Sequence, residues 1–289
     1  MDLSIVIVSW NVKELLQKCL SSIFEFTKNM EFEIIVIDND SQDQSAEMII
    51  TKFPQVNLIA SKKNLGFAKA NNLGLNQAQG KYVLFMNPDM ELVENSFPIM
   101  FMLMEQNPQA AISTCQLFYP NKQRQDNIKN NPDFCSQAII LLKLHHLFKP
   151  KCLLAYLAKN FDYHKEKTVS QIMGAFMFCN KEKIKQINGW DENFFLWFEE
   201  VDLCKRVQEQ NWQIIYTPKA KIIHHESQSF KQNSSLLRQK RFTQSMKKYF
   251  KKHHNWLEYN LLSFLALISL GLAFISQILK IKPKTQSKI

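Results

Sequence analysis

The stretch Leu3-Ser4-Ile5-Val6-Ile7-Val8-Ser9-Trp10-Asn11 decides the fold. Leu3–Val8 is apolar and largely β-branched apart from Ser4, and it stops abruptly at Ser9-Trp10-Asn11. A short run that is apolar on both faces suits a strand inside a parallel sheet. Glu14–Phe26 follows, with Leu15, Leu16, Cys19, Leu20, Ile23 and Phe24 at helical spacing. The unit then repeats. Phe32–Ile37 is a second apolar run closed by Asp38-Asn39-Asp40-Ser41, and Ser45–Phe53 reads as a helix. Val56–Ala60 is a third strand, Phe67–Gln79 a helix and Tyr82–Met86 a fourth strand. This alternation predicts an α/β fold with a mostly parallel central sheet flanked by helices.

In such sheets ligands bind beyond the carboxyl ends of the strands. Polar residues collect at those ends here: Ser9-Trp10-Asn11, Asp38-Asn39-Asp40 and Asn87-Pro88-Asp89. Each cluster has an ordinary reading as turn chemistry. Three at one edge of one sheet point to a binding site.

Further along, Asn121–Pro132 reads as a polar loop. Phe134–Leu157 mixes aliphatic residues with Lys143, His145, His146, Lys149 and Lys151, which suits a cap or lid over the site, or a rest on a membrane surface. Gly174–Cys179 is apolar, and Lys181–Ile187 is a short helix ended by Asn188-Gly189. The aromatic stretch Phe194–Phe198 leads into Glu199-Glu200-Val201-Asp202, and Leu203–Glu209 continues as a helix. Gln213–Tyr216 and Lys221–Ile223 read as two strands, the second ending at His224-His225-Glu226.

A chain of 289 residues with 46% hydrophobic and 21% charged residues buries a sizeable core and is not disordered. Its six cysteines (Cys19, Cys115, Cys135, Cys152, Cys179, Cys204) are scattered, without a CxxC pair or metal-ligand spacing. That predicts reduced core thiols and a reducing compartment. The first residues show no basic n-region and no cleavage site, so no signal peptide is expected. The net charge of +10 is unevenly placed: residues 1–226 carry 24 Lys+Arg and 25 Asp+Glu, whereas 227–289 carry 12 and one, Glu258. A nucleic-acid binder would more often carry basic residues on its folded body, whereas a basic tail beside an apolar run suits anionic lipid.

That run is Leu261–Leu279, free of charge, and as a helix it would span roughly 28 Å, close to the hydrocarbon thickness of a bilayer. A buried core helix would more often show a polar stripe, and this one shows none. Lys231–Lys252 holds eight basic residues and the tail after the run holds four, which by the positive-inside rule puts the N-terminal body in the cytoplasm. A segment dipping into one leaflet is the other reading. The expected division is an α/β domain at 1–230, a basic juxtamembrane segment at 231–256, a transmembrane or membrane-anchoring helix at 257–280 and a basic tail at 281–289.

Among residues able to do chemistry, Asp89 stands where a strand stops, stiffened by Pro88 and accompanied by the acceptor oxygen of Asn87. Mg²⁺ or Mn²⁺ needs only one or two carboxylates when phosphate and water fill the other positions. A turn using Asp for local hydrogen bonds is the plain alternative. Glu199, Glu200 and Asp202 open a helix, where acids favour the dipole. The aromatic residues before them suggest a partly buried carboxylate of raised pKa, suited to a general base. His224 offers a neutral imidazole to a divalent metal, while His225 alternates to the other face of the strand.

Seven segments resemble, in order, the successive motifs of glycosyltransferase family 2: Ser4–Asn11, Ile37–Ser41, Asn64–Asn72, Met86–Asp89, Gly189–Glu192, Phe198–Cys204 and His224-His225. The likeness covers roughly residues 3–230 and is greatest to rhamnosyltransferase-type members that act in cell-surface polysaccharide assembly. The resemblance implies a GT-A (Rossmann-like) fold whose first half binds the nucleotide sugar. Trp10 and Asn11, with Asp38 and Asn39, would hold the base and ribose. Asp89 matches the last acid of the family's DXD motif and would bind the metal that bridges the diphosphate; Asn87 replaces the first acid. Glu200 stands where the family usually has the Asp of its Glu-Asp motif, the catalytic base. His224 would add a metal or diphosphate contact. Ser9, Asn64, Gly66, Asn71, Asn87, Gly174, Asp191, Glu199 and Asp202 complete the candidate substrate contacts.

The implied reaction is metal-assisted transfer from a nucleotide-diphosphate sugar to a hydroxyl of a saccharide or lipid-linked acceptor. It proceeds with inversion, Glu200 acting as base, at the cytoplasmic face of the cell membrane. A catalytically silent, membrane-anchored nucleotide-sugar-binding scaffold is the alternative, supported by the Glu200 and Asn87 substitutions. A nucleotidyltransferase would usually carry a Gly-rich, Arg-containing loop after the first strand, and Ser9–Lys13 has no Gly.

Overall fold

The computed structural model describes residues 1–225 and 235–278; the expected domain boundary at 230 and the tail at 281–289 lie outside them. β1 (Leu3–Ser9) is buried at every position. Its odd residues Leu3, Ile5 and Ile7 pack against α1 (Lys13–Phe26), α2 (Ser45–Lys52) and α4 (Ser96–Gln106). Its even residues Val6 and Val8 pack on the other face, against α3 (Phe67–Gln77), α7 (Lys181–Gln186) and α8 (Glu199–Glu209). Apolar side chains on both faces are thus what a two-sided core demands of the strand. Ser4, the exception, donates to Glu33 Oε1 at 2.6 Å and accepts from the Gly80 N–H at 2.8 Å.

β2 (Phe32–Asp38), β3 (Asn57–Ala60) and β4 (Tyr82–Met86) join β1 in parallel. The main order is β3-β2-β1-β4-β11-β6-β12-β5, with β5 at Met90–Leu92, β6 at Ala110–Phe118, β11 at Phe176–Asn180 and β12 at Gln213–His224; short β7 (Arg124–Gln125) pairs with β6, β9 (Lys167–Thr168) with β12, and β8 (Ile128–Lys129) with β10 (Gln171–Ile172). β11 lies antiparallel between β4 and β6, β6 and β12 are parallel, and β5 closes the edge antiparallel to β12. This is the mostly parallel, helix-flanked GT-A sheet that the sequence leads one to expect. The register aligns Ser9 with Asp38, Asp38 with Ala60, and Ile7 with Met86, so the polar clusters of the first half share one edge.

Two expectations need correction. First, Gln213–Tyr216 and Lys221–Ile223 are one strand, β12, interrupted by a register shift between Thr217 and Lys221. Thr217-Pro218-Lys219 reads as a turn, but Pro is admitted within a sheet at a bulge. Second, Cys135 and Cys152 form a disulfide, while Cys19, Cys115, Cys179 and Cys204 are the buried free thiols expected. The bridge links the starts of α5 (Phe134–Leu141) and α6 (Lys151–Tyr156), a proximity invisible at a spacing of 17 residues.

The 134–157 segment, expected as a cap or lid, is packed on the second half of the chain. Leu141 shares an apolar cluster with Phe194, Phe198 and Val201 and with residues of α9 (Ser235–His253) and α10 (Trp256–Ile278). The basic segment expected at 231–256 forms, over 235–253, the helix α9, which packs on the body through buried Met246, Tyr249 and Phe250. α10 runs back along α9 and buries Leu262, Ala266 and Ser269, with Gln239 Nε2 donating to Ser269 Oγ at 3.0 Å. Its other face exposes Trp256, Leu257, Phe264, Leu267, Phe274 and Ile275. Only 17% of its most apolar window is buried, which sets it apart from the core helix of a soluble protein.

Candidate active site

At the edge formed by β1 and β2, much of the polar chemistry builds the loops themselves. Asn39 Nδ2 donates to Asn64 Oδ1 at 3.1 Å, and its Oδ1 accepts from Leu65 N at 2.8 Å. Asn64 Oδ1 also accepts from Gly66 N at 3.0 Å. Asn11, at φ 51°, accepts from Gln42 N on its Oδ1 at 2.7 Å. Asn71 Nδ2 turns back to the Phe67 carbonyl at 3.0 Å. What remains directed at the edge is half-exposed Trp10 and two buried oxygens without a partner, Ser9 Oγ and Asp38 Oδ1. Buried polar atoms are normally satisfied, so such a pair at a strand end invites a ligand.

Gly66 joins this edge to the second half of the chain. It sits at φ 81°, and a Cβ there would lie 2.7 Å from both the Phe195 carbonyl oxygen and its ring. The Phe67 N–H donates to that same Phe195 carbonyl at 2.8 Å.

Asp89 and His224 meet across the β5–β12 pairing. Asp89 Oδ1 and His224 Nε2 lie 3.2 Å apart, both buried, yet no hydrogen bond joins them and each atom lacks a partner. His224 Nδ1 lies 2.9 Å from Gln125 Oε1, an acceptor; in the neutral tautomer that donates this bond from Nδ1, the Nε2 lone pair faces Asp89. Two inward-facing lone pairs, one on a carboxylate and one on a neutral imidazole whose tautomer is fixed from behind, fit a divalent cation. Among the described residues no third His, Cys, Asp or Glu joins them, so any further ligands would come from phosphate and water. His225 points elsewhere, to Glu91 Oε2 at 2.6 Å.

β11 carries the geometry across to Glu200. The Asn87 N–H, two residues before Asp89, donates to the Ala175 carbonyl at 2.9 Å. The neighbouring Gly174 faces Glu200: a Cβ at 174 would lie 3.2 Å from Glu200 Cβ and 3.9 Å from its carboxyl carbon. Glycine there leaves room for the acid. Burial pushes the Glu200 carboxyl up, opposed by backbone N–H groups at the helix start and by the charge of Lys129, and its Oε2 has no partner. Burial, then repulsion from Glu200, drives Glu199 well above the ordinary range. Before them, Trp197 and Phe198 adopt φ 66° and 67° in succession. Left-handed backbone at two bulky residues is costly and persists where the surroundings enforce it.

Asp191 and Asp202 differ from the other expected contacts. Asp202 is fully buried, and its oxygens are engaged by Arg206 Nε, His253 Nε2 and Lys252 Nζ, each at 2.7 Å. Burial would raise its pKa, but His253, Arg206 and Lys252 outweigh it and hold the carboxyl at about 2. Asp191 accepts from Lys252 at 2.7 Å and is likewise lowered overall, although burial alone would raise it.

Gln125, Lys252 and His253 were not marked by the sequence. Gln125 lies in a polar stretch with no period, and no local signal identifies it. Arg206, four residues after Asp202, was a legible helical pair.

Residues 4–184 match Glycosyl transferase family 2, and residues 156–228 match the N-terminal domain of galactosyltransferase. The chain is 22% identical over 243 residues to N-acetylglucosaminyl-diphospho-decaprenol L-rhamnosyltransferase of Mycobacterium tuberculosis, covering 78% of this chain and 77% of that protein. It is 22% identical over 236 residues to rhamnosyltransferase WbbL of Escherichia coli, covering 78% and 85%. The mannosyltransferase PcManGT from Pyrobaculum calidifontis, solved with GDP-Man and Mn²⁺, superposes with a TM-score of 0.58 at 12% identity, over 97% of this chain and 76% of that one. GalNAc-T7, solved with UDP, GalNAc and Mn²⁺, gives 0.58 at 13% identity over 78% of this chain and 44% of its own. At such identities the structural likeness establishes a shared fold.

Proposed function

The chain belongs to glycosyltransferase family 2 and is a glycosyltransferase drawing on a nucleotide-sugar donor; from that premise we propose an inverting, metal-assisted enzyme that transfers a hexosyl or rhamnosyl residue to a hydroxyl of a lipid-linked saccharide. One observation carries the reading. Two unpartnered lone pairs, on Asp89 and His224, and one buried carboxyl, on Glu200, flank the same end of β11.

In this reading Trp10, Ser9 and Asp38 receive the nucleoside, while Asn11, Asn39, Asn64, Gly66 and Asn71 hold the loops that shape its pocket. Asp89 and His224 hold Mg²⁺ or Mn²⁺, which when bound neutralises charge on the diphosphate. Asn87, bonded through its backbone to Ala175, spaces the two sides. Glu200 accepts the proton of the acceptor hydroxyl, which attacks from the face opposite the diphosphate. Inverting displacement at a sugar needs a base and a stabilised leaving group on opposite sides. Burial draws the pKa of Glu200 toward the working pH, and the Lys129 charge keeps the ionised form accessible.

A relative whose name specifies a decaprenyl diphosphate acceptor supports a lipid-linked substrate. The exposed apolar face of α10 supports contact with a bilayer, with the body on its cytoplasmic side. Because α10 lies along α9, we place it flat at the interface, and we count 235–253 with the catalytic unit at 1–230. The segment at 257–280 is the anchor.

A donor screen tests the reading: release of nucleoside diphosphate from several nucleotide sugars, with and without Mn²⁺ or Mg²⁺, and the anomeric configuration of the product by NMR. Retention of configuration would overturn the mechanism, and binding without turnover on every donor and acceptor would mark a silent scaffold. Phe264→Asp with Leu267→Asp should release the protein from anionic vesicles; unchanged co-sedimentation would sink the anchor.

A further inference from the structure

The C-terminal helix α9 contacts the 191–198 loop and the start of α8 at every turn of its second half. Ser245 Oγ donates to the Leu196 carbonyl at 2.8 Å, and Lys248 Nζ donates to the Asn193 carbonyl. Lys252 Nζ bridges Asp191 Oδ2 and Asp202 Oδ1, at 2.7 Å each. His253 Nε2 reaches Asp202 Oδ1 at 2.7 Å while its Nδ1 lies 3.3 Å from Glu209. Phe242 and Tyr249 pack against Phe198 at centroid distances of 5.6 and 5.5 Å, and the Arg241 guanidinium lies 4.7 Å over the Phe195 ring.

At the loop's start Asp191 Oδ1 accepts from the Asn193 N–H at 3.0 Å and from its Nδ2 at 2.8 Å; the costlier features lie further along. Trp197 and Phe198 are held in left-handed backbone, and Asp202 is a carboxylate with no solvent exposure. A buried charge is tolerated when paired and becomes costly when a partner is removed. Arg206, from the same helix as Asp202, donates to the carbonyls of Ile187 and Gly189 at 2.6 and 2.7 Å and fixes the loop's beginning. Among the described residues, Lys252 and His253 tie this node to α9, and α9 carries α10 on its other side.

We infer that Lys252 and His253 are positioning residues for glycosyl transfer: through Asp202 and Asp191 they set the loop and the helix start that present Glu200, which makes the membrane-facing hairpin a working part of the catalytic site. The inference rests on the proposed role of Glu200. It separates the molecule's two tasks: Lys252 and His253 bond Asp191, Asp202 and Glu209 and, among the described residues, no group of the β1–β2 edge. Loss of either residue should therefore damage transfer and spare donor binding.

The test uses the full-length protein in bilayer nanodiscs. Lys252→Ala and His253→Ala are compared with wild type and with Lys251→Ala, an exposed neighbour on the same helix. For the first two variants turnover should drop by about 10-fold or more, with donor Kd within about twofold of wild type and partial rescue by Lys252→Arg. Amide hydrogen exchange supplies a readout independent of turnover: residues 190–202 should exchange about 10-fold faster or more in both variants, with the β1–β4 strands unchanged. Unchanged turnover and unchanged exchange in the loop would overturn the inference, as would a parallel loss of donor affinity. Wild-type protein that transfers no sugar would instead refute the enzymatic reading, and the exchange result would still decide the coupling.

Discussion

The two sides of the cleft are built in opposite ways. On the β1–β2 side, each polar residue follows its own strand, and the bonds that shape the loops join neighbouring turns of one half: Asn39 to Asn64, Asn11 to Gln42, and Asp43 to the amides of Lys13 and Ser45. On the Glu200 side, Asp202 has one near partner, Arg206, four residues on. Its other partners, Lys252 and His253, lie about fifty positions away, as Ser245 does from the Leu196 carbonyl it bonds. The β1–β2 edge is thus specified by its own half of the chain and the Glu200 side by assembly. Changes to one side should leave the other intact unless they strike the seam.

Glu200→Gln is the sharpest cut. It should slow turnover about 10³-fold, within the range for loss of a general base, while donor binding measured by calorimetry stays within about twofold. Equal loss of binding would show that the two sides are not separable. Gln125→Leu removes the group that fixes the His224 tautomer and should weaken metal activation about 10–100-fold, read as the Mn²⁺ concentration giving half-maximal nucleoside diphosphate release. An unshifted midpoint would remove His224 from the metal site.

Gly66→Ala strikes the seam, because the added Cβ meets the Phe195 carbonyl and φ is positive. It should cost about 2 kcal/mol or more and reduce donor affinity and turnover together. Smallest is Glu199→Gln. Burial raises this carboxyl above its unfolded value, so ionising it costs stability as pH climbs through the raised pKa. The variant should melt a few degrees higher at about pH 7.5, and that gain should vanish by about pH 4, where both forms are neutral. A gain that persists at low pH would assign the effect to packing.

The local side was therefore legible. Apolar runs ended by Ser9, Asp38 and Asn87 marked three of the first four strands and the polar edge where they stop, because period and punctuation are properties of neighbouring residues. Glu200 was marked by the aromatic residues before it and by its resemblance to a family motif. Other features were not legible because they exist only in three dimensions. Cys135 and Cys152 meet through the packing of two helices, and Gln125 acts only once His224 stands beside it. The basic excess after residue 226 pointed to lipid, yet Arg241, Lys248 and Lys252 are spent on the body. A count of charge does not say which way a helix faces.

The position of β11 bears on how the chain is made. It belongs to residues 176–180 but slots between β4 and β6, so the ribosome must add 94 residues after Met86 before the exposed flank of the first four strands is covered. At elongation rates of roughly 5–20 residues per second, that leaves an apolar strand edge open for about 5–19 s. An open edge of that kind is a template for pairing with another chain, so a fragment ending between 87 and 175 is expected to aggregate where the whole chain stays in solution.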